Sequence, residues 1–223
     1  MRLPRTLRHG AVPAFLLMAV AGCGQGSSPV PTSQAPTSTV PASSASALAV
    51  PWPAPPDPMK LAVEAGLTPG PQEYGTNHVH AHLDVFIDGR PITVPAGIGI
   101  NIDDPKVRRF DEPDGSVAYG GITMCDQPCI SPLHTHDPNG IIHTESATPG
   151  ANTLGQFFTE WAVPLSETCV GEHCSPESIA VYVNGQPYTG DPRAIELTDH
   201  KEIAIVIGTP PAQIPSTADF SQA

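Results

Sequence analysis

The fold of this chain is set by residues 78–94, which read HVHAHLDVFIDGRPITV. Polar and apolar side chains alternate over most of its first half, which is typical of a β-strand with one buried face and one polar face. Asp88 and Gly89 tolerate the positive φ angles of a two-residue hairpin turn, so the strand is expected to turn back through residues 91–94. The stretch therefore predicts a β-hairpin.

The same pattern indicates further strands near the end of the chain. Residues 181–187 parallel residues 85–91 position by position and contain a second Asx-Gly pair. A duplicated hairpin and independent convergence on the same turn explain this likeness equally well. Isoleucines alternate with other residues over 202–207, which predicts a closing strand.

One amphipathic helix is predicted from Thr153 to about Ala162, because Thr153 and Gln156 have the spacing of a capping box. Residues 59–65 are a candidate for a second, short helix. The fold class is thus mainly β (α+β), an antiparallel sheet or small sandwich with one packed helix. The apolar stripe that would pack this helix on the core has the spacing i, i+3, i+4 and i+7 and consists of Leu154, Phe157, Phe158 and Trp161.

Composition limits both the size of the fold and its partners. The 223 residues include 28 prolines and 20 glycines, so only part of the chain can pack as a regular domain, of roughly 150 residues. The formal net charge of -12 argues against binding to nucleic-acid phosphates. No nucleic-acid partner is expected, and the sequence identifies no protein partner.

The N-terminal residues indicate export. Three arginines precede an apolar stretch too short to span a bilayer, as in a signal peptide. Residues 20–23, Val-Ala-Gly-Cys, resemble the lipobox of bacterial lipoproteins, which implies lipidation of Cys23 and an extracytoplasmic, membrane-anchored chain. A simple cleaved secretory signal is the alternative. The predicted organisation is a signal peptide (1–22), a Pro/Ser/Thr-rich tether (23–58), a His-rich β domain (59–208) and a flexible tail (209–223).

The four remaining cysteines form two local pairs in sequence. Cys125 with Cys129 and Cys169 with Cys174 are the expected disulfides of an oxidising compartment, although local pairing is one of three connectivities. An alternative is that Cys125, Cys129 and His134 are copper ligands, since their spacing comes near the C-x3-C-x3-H pattern of the cytochrome oxidase binuclear copper site. The spacing differs by one residue, so disulfides are preferred.

Six histidines lie between residues 78 and 143 and carry the chemistry of the sequence. Residues two apart on a strand share a face, so His78, His80 and His82 are expected to stand in a row. If Pro138 and Asn139 are the two residues of a turn, His134 and His143 lie opposite each other. A three-residue loop would shift the register by one. In the first register one face carries His134, His136, His143 and Glu145.

This density of imidazoles predicts a transition-metal site, with copper or zinc as the favoured ion. The alternative is a row of histidines that line an exposed sheet or form hydrogen bonds among themselves. The principal candidate ligands are His80, His82, His134, His136 and His143, and the outer or alternative ones are His78, Asp84 and Glu145.

Whole segments of the chain resemble an uncharacterised family of exported bacterial and archaeal proteins. The resemblance covers roughly residues 76–208 and rests on three motifs: HxHxHLDxFIDG, LHTHDxxGIIHxES and TLGQFFxxW. It implies an extracytoplasmic location and a histidine-rich site, and it transfers no reaction.

The sequence predicts a lipid-anchored, extracytoplasmic protein that captures, buffers or delivers copper or zinc. Two alternatives stay open. One is a metalloenzyme in which three histidines leave a coordination position open and Glu145 or Asp84 acts as a base. The other is a metal-free surface interaction domain. No catalytic residue is assigned, and whether the chain is an enzyme is left undecided.

Overall fold

The structure is a computed structural model, and it describes residues 51–221. The predicted signal peptide, Cys23 and most of the predicted tether lie outside the described residues. The elements, in chain order, are α1 (Pro58–Glu64), β1 (Asn77–Ile87), β2 (Arg90–Ile92), β3 (Arg108–Asp111), β4 (Val117–Gly120), β5 (Leu133–His134), β6 (Ile141–Ser146), α2 (Leu154–Glu160), β7 (Cys169–Val170), β8 (His173–Cys174), β9 (Ile179–Val183), β10 (Gln186–Tyr188), a 3-10 turn (Pro192–Ala194) and β11 (Lys201–Ile207).

The main sheet has the strand order β10-β9-β11-β1-β6-β5, and β2 also pairs with β1. The long strand β1 is the centre of this sheet, with β11 along one edge and β6 and β2 along the other. The prediction of a mainly β fold with a packed helix is confirmed. The sheet is mixed rather than wholly antiparallel, because β1 and β11 run parallel.

Both predicted Asx-Gly hairpins are present. Asp88 and Gly89 have φ angles of 49° and 75° and join β1 to β2. Asn184 and Gly185, with φ angles of 50° and 74°, join β9 to β10 in the same way. Positive φ at both turn residues matches the twist of the flanking strands, which is why the local sequence was sufficient to predict these hairpins.

One face of the sheet packs on α2. The helix begins at the predicted capping box, in which the side chains of Thr153 and Gln156 each accept a hydrogen bond from the other residue's backbone N–H. The core under this face contains the buried side chains of Leu83, Val85, Ile142, Phe157, Phe158, Trp161, Ile203 and Ile205.

The opposite face of the sheet is apolar at one end and polar at the other. At the apolar end Phe86, Ala204 and Val206 form a small cluster, against which Ile214 packs. The sequence predicted a flexible tail from residue 209, and residues 209–221 contain no helix or strand. Through Ile214 this segment covers part of the sheet at its apolar end. The polar end of the same face carries the histidines.

The packed structure begins before residue 59, where the β domain was predicted to start. Trp52 is buried and its ring stands perpendicular to that of Trp161, with centroids 5.8 Å apart. The indole N–H of Trp161 donates to the backbone carbonyl of Trp52 at 3.0 Å. An aromatic side chain within the proline-rich segment therefore belongs to the core.

Two disulfides join the cysteines as predicted, Cys125 to Cys129 and Cys169 to Cys174. These cysteines are therefore not free thiolate ligands for copper. Among residues 51–221, no helix has the length and apolar character that crossing a bilayer requires.

Candidate metal centre

Three neighbouring strands place histidines side by side on the polar face of the sheet. His80 of β1 lies opposite His143 of β6, and His143 lies opposite His134 of β5. The pairing of His134 with His143 is the register expected for a turn at Pro138 and Asn139. One register shift would have moved these imidazoles to opposite faces.

Five imidazoles and one carboxylate meet at this point, and we call them the histidine cluster. His143 is at the centre, with its ring centroid 4.5 Å from that of His80, 4.6 Å from that of His136 and 5.4 Å from that of His134. Glu145 lies opposite His78 on the neighbouring strand. The members of the cluster are His78, His80, His134, His136, His143 and Glu145.

Hydrogen bonds to backbone carbonyls fix the tautomers of two of these rings. His134 Nδ1 lies 2.9 Å from the carbonyl oxygen of Ser131, and His136 Nδ1 lies 2.6 Å from that of Tyr119. A carbonyl oxygen can only accept, so we assign the ring proton to Nδ1 in both. In the neutral ring, Nε2 then carries a lone pair.

The two lone pairs face each other. His134 Nε2 and His136 Nε2 are 3.1 Å apart, and with these tautomers neither atom has a proton to donate. Two facing lone pairs repel each other, whereas a cation between them would be coordinated by both nitrogens. Two nitrogens bound to one tetrahedral zinc ion lie about 3.3 Å apart, given Zn–N bonds of about 2.0–2.1 Å. The observed separation fits two ligands of one ion.

Burial keeps the central rings in the neutral form that binds metals. It lowers the pKa of His134 well below the ordinary value, and the neighbouring His136 and His143 act in the same direction. Burial also lowers the pKa of His143, against the opposing effect of Glu145. For His80, burial together with His143 and His78 lowers the pKa to about 4.

A second pair of ring nitrogens lies on the other side of His143. His78 Nε2 is 2.9 Å from His80 Nε2 and 3.1 Å from Glu145 Oε1. The buried Nδ1 of His143 lies 3.4 Å from the same carboxylate oxygen, and it has no hydrogen-bond partner among the described residues. A buried polar atom without a partner is costly, so this nitrogen is a further candidate ligand.

Two carboxylates accompany the imidazoles. Burial alone would raise the pKa of Glu145, but its contacts with His143 and His78 hold it below the ordinary value. Glu73, in the segment before β1, lies 3.6 Å from His136 Nε2. Glu73 was not among the predicted ligands, because a Pro- and Gly-rich segment has no periodicity that would place its side chains.

His82 and Asp84 lie outside the histidine cluster. Together with the buried Glu202 of β11 they form a separate group, which we call the His82 group. His82 Nδ1 is 2.8 Å from Glu202 Oε2 and 3.8 Å from Asp84 Oδ2, and His82 Nε2 is 2.9 Å from the carbonyl oxygen of Asn139. Burial would lower the pKa of His82, but the hydrogen bond to Glu202 raises it overall.

This separation follows from the strand neighbours of β1. His82 lies opposite Ile141 on β6 and beside Glu202 on the parallel strand β11. A carboxylate on one side and a backbone carbonyl on the other satisfy both ring nitrogens of His82. The ring thus ties β11 to the turn that carries Asn139. The sequence predicted the strand that starts at Glu202, but nothing in it indicated that this side chain meets His82.

A cleft opens beside the cluster. Its volume is about 450 Å³, and Glu73 and Glu145 both contribute to its wall. The rest of the lining comes mainly from residues 66–72, 130–132 and 146–150. A small molecule in this cleft would reach the carboxylate edge of the cluster.

Comparisons with models of known protein families, with curated proteins and with solved structures give no match. The chemistry of the side chains in the histidine cluster is therefore the evidence for function.

Proposed function

We propose that this chain is a lipid-anchored, extracytoplasmic protein that binds copper or zinc, for capture, buffering or delivery of the metal. The observation that carries the proposal is the pair of Nε2 atoms of His134 and His136, which face each other at 3.1 Å. Both rings donate through Nδ1 to backbone carbonyls. A metal-binding histidine commonly donates its other ring N–H to a carbonyl or carboxylate in this way, which orients the coordinating nitrogen.

The composition of the cluster supports a transition metal over magnesium or calcium. Mg²⁺ and Ca²⁺ bind through oxygen atoms, whereas neutral imidazoles suit zinc and copper. Five imidazoles and one carboxylate therefore favour zinc or copper.

The proposed location rests on two features. The N-terminal 23 residues have the order of a lipoprotein signal, with a basic segment, an apolar segment and Cys23. The two disulfides are typical of a protein that matures in an oxidising compartment.

Metal binding is tested by elemental analysis of protein purified without a histidine tag and then exposed to Zn²⁺ or Cu²⁺. Wild-type protein should retain metal stoichiometrically after removal of the excess. The variant His134→Ala/His136→Ala should lose metal from this pair. A matched control is His173→Ala/His200→Ala, which removes two histidines outside the cluster and should bind as wild type does.

Failure of the wild-type chain to take up metal would leave the interaction-domain alternative. If the His134→Ala/His136→Ala variant bound metal with unchanged stoichiometry and affinity, the site would be misassigned. Circular dichroism of each variant distinguishes lost ligands from lost fold.

The anchor is tested separately by replacing Cys23. Wild-type protein expressed with its complete N-terminus should partition into membranes and carry an acyl mass on its first mature residue. Cys23→Ser should abolish the acyl mass and release the protein from the membrane fraction. An unmodified Cys23 in the mature wild type would contradict the anchor.

A metalloenzyme is the second candidate function, and the cleft beside Glu73 and Glu145 favours it. An enzyme site needs a coordination position that water or substrate can occupy. Co²⁺-loaded protein should then change its visible spectrum when azide is added. An unchanged spectrum would indicate a closed site and favour storage or delivery.

A further inference from the structure

The histidine cluster contains more donor groups than one zinc or copper ion takes up. A structural zinc ion has four ligands, and a catalytic one usually has three protein ligands and a water molecule. The cluster offers five imidazoles and Glu145, and Glu73 lies 3.6 Å from one of the rings. This excess raises the question of how many ions the site holds. A second ion at the cluster rests on the proposed function, because it requires that the cluster binds metal.

The donors divide into two sets of four. In each set the candidate ligand atoms all lie within 4.8 Å of one another. His78 and His80 belong only to the first set, and His134 and His136 belong only to the second. His143 and Glu145 are common to both. The division follows the strands, because the first pair comes from β1 and the second comes from β5 and the residues directly after it.

Each exclusive pair has the spacing of two ligands on one ion. The Nε2 atoms are 2.9 Å apart in His78 and His80, and 3.1 Å apart in His134 and His136. Both separations are close to the value of about 3.3 Å for nitrogens on a tetrahedral zinc ion. Each pair can therefore hold its own ion.

A carboxylate lies beside each of the two histidine pairs. Glu145 Oε1 lies 3.1 Å from His78 Nε2 and 3.4 Å from His143 Nδ1, so this carboxylate faces the first pair and the central ring. A carboxylate has two oxygens and can bind one ion through each. On the second side Glu73 adds a further carboxylate beside His136. Two adjacent cations would thus each have an anionic neighbour.

We propose that the histidine cluster binds two transition-metal ions side by side, one at His78 and His80 and the other at His134 and His136, with Glu145 as the bridging carboxylate. His143, whose Nδ1 has no hydrogen-bond partner among residues 51–221, completes one of the two sites. Paired metal ions in proteins are commonly about 3.5–4 Å apart.

Stoichiometry tests this proposal on the full mature chain loaded with Zn²⁺. Wild type should bind two ions per chain. His78→Ala/His80→Ala and His134→Ala/His136→Ala should each bind one, and the variant with all four substitutions should bind none at the cluster. The control His173→Ala/His200→Ala should still bind two. One ion in the wild type, lost in both double variants, would overturn the paired site and leave the proposed function intact. No stoichiometric binding in the wild type would overturn both.

A second measurement starts from wild type and so does not depend on how well His134→Ala folds. In Cu²⁺-loaded wild type, electron paramagnetic resonance should show two interacting copper ions, with a half-field signal or a loss of intensity relative to total copper. Replacing Glu145 with Gln should weaken this interaction while the four paired imidazoles remain. Two bound ions with the spectra of isolated Cu²⁺ would contradict the bridge.

Discussion

A carboxylic acid lies completely buried beneath the sheet, where α2 ends. Neither carboxyl oxygen of Glu160 has a hydrogen-bond partner among the described residues. Burial raises the pKa of Glu160 well above the ordinary glutamate value of 4.5, and the nearby Ser131 hydroxyl opposes this only in part. The backbone carbonyl of Ser131 accepts the hydrogen bond that orients His134. Glu160 thus lies beside the residue whose backbone carbonyl orients His134 in the histidine cluster.

Replacing Glu160 with Gln should stabilise the folded chain relative to wild type, by an amount that increases as the pH rises. The native state keeps this proton to a higher pH than the unfolded chain does. Above the unfolded carboxyl's pKa, each pH unit therefore disfavours the wild-type native state by about 1.4 kcal/mol until the buried group ionises. Below that pKa both states are protonated and the pH-dependent difference vanishes.

The measurement is the free energy of unfolding by urea between pH 4 and 8 for wild type, Glu160→Gln and the control Glu167→Gln, which changes an exposed residue. A stability difference between Glu160→Gln and wild type that stayed constant over this range would contradict a buried, protonated Glu160.

At the scale of elements, the turn between β5 and β6 sets the positions of His136 and His143. Gly140 has a φ of +84°, and a Cβ added there would lie 2.6 Å from the carbonyl oxygen of Leu83 and 2.8 Å from His82 Nε2. The backbone N–H of Leu83 also donates to the carbonyl of Gly140. The turn is therefore held close against β1, and this fixes the spacing between the histidines of the two segments.

Gly140→Ala should destabilise the fold by more than the ~1–2 kcal/mol that left-handed backbone costs an alanine, because the new methyl group meets backbone. It should also weaken metal binding, since His136 and His143 flank the turn. Denaturant unfolding and zinc titration measure the two effects. Gly115→Ala is the matched control, because Gly115 has a similar φ of +87° and a Cβ there has no heavy atom within 4 Å. Equal stability of the two variants would show that the turn can move away without cost.

The local sequence predicts the turns and the helix start of this chain better than it predicts which side chains meet at the polar face. Asp88-Gly89 predicted its hairpin and Thr153 its helix start, because turn angles and capping depend on a few neighbouring residues. Of the two loop lengths that the sequence left open, the two-residue turn at Pro138 and Asn139 predicted the observed opposition of His134 and His143. The contact between His82 and Glu202 depends on a parallel pairing of strands 120 residues apart in sequence, which no local pattern specifies.

At the scale of the whole molecule, segments at both ends of the described chain join the core. Trp52 packs on Trp161, and its indole N–H donates to Glu172 at 2.9 Å. At the other end Ile214 lies on the apolar part of the sheet. The packed unit is thus longer than residues 59–208.

Trp52→Ala should lower the free energy of unfolding by about 3–5 kcal/mol, the usual cost of removing a buried large aromatic side chain. The control is Phe110→Ala, which removes an aromatic side chain that is 38% exposed and should have a much smaller effect. Thermal unfolding with metal removed by a chelator measures both. Wild-type stability in Trp52→Ala would mean that the segment before α1 contributes nothing to the fold.

The sequence by itself determined the two-faced strand of residues 78–87, the Asx-Gly hairpins, the capped helix and the histidine-rich face, because these follow from side-chain alternation and local backbone preferences. Only the tertiary structure decided which side chains of this face meet. His78 forms one pair with His80, and His134 forms another with His136. His82 contacts Glu202 instead. The tertiary structure also brought Glu73 to His136 and placed Glu160 beneath the sheet. The physical reason is that strand order and long-range packing bring these groups together, and neither is encoded within a single segment.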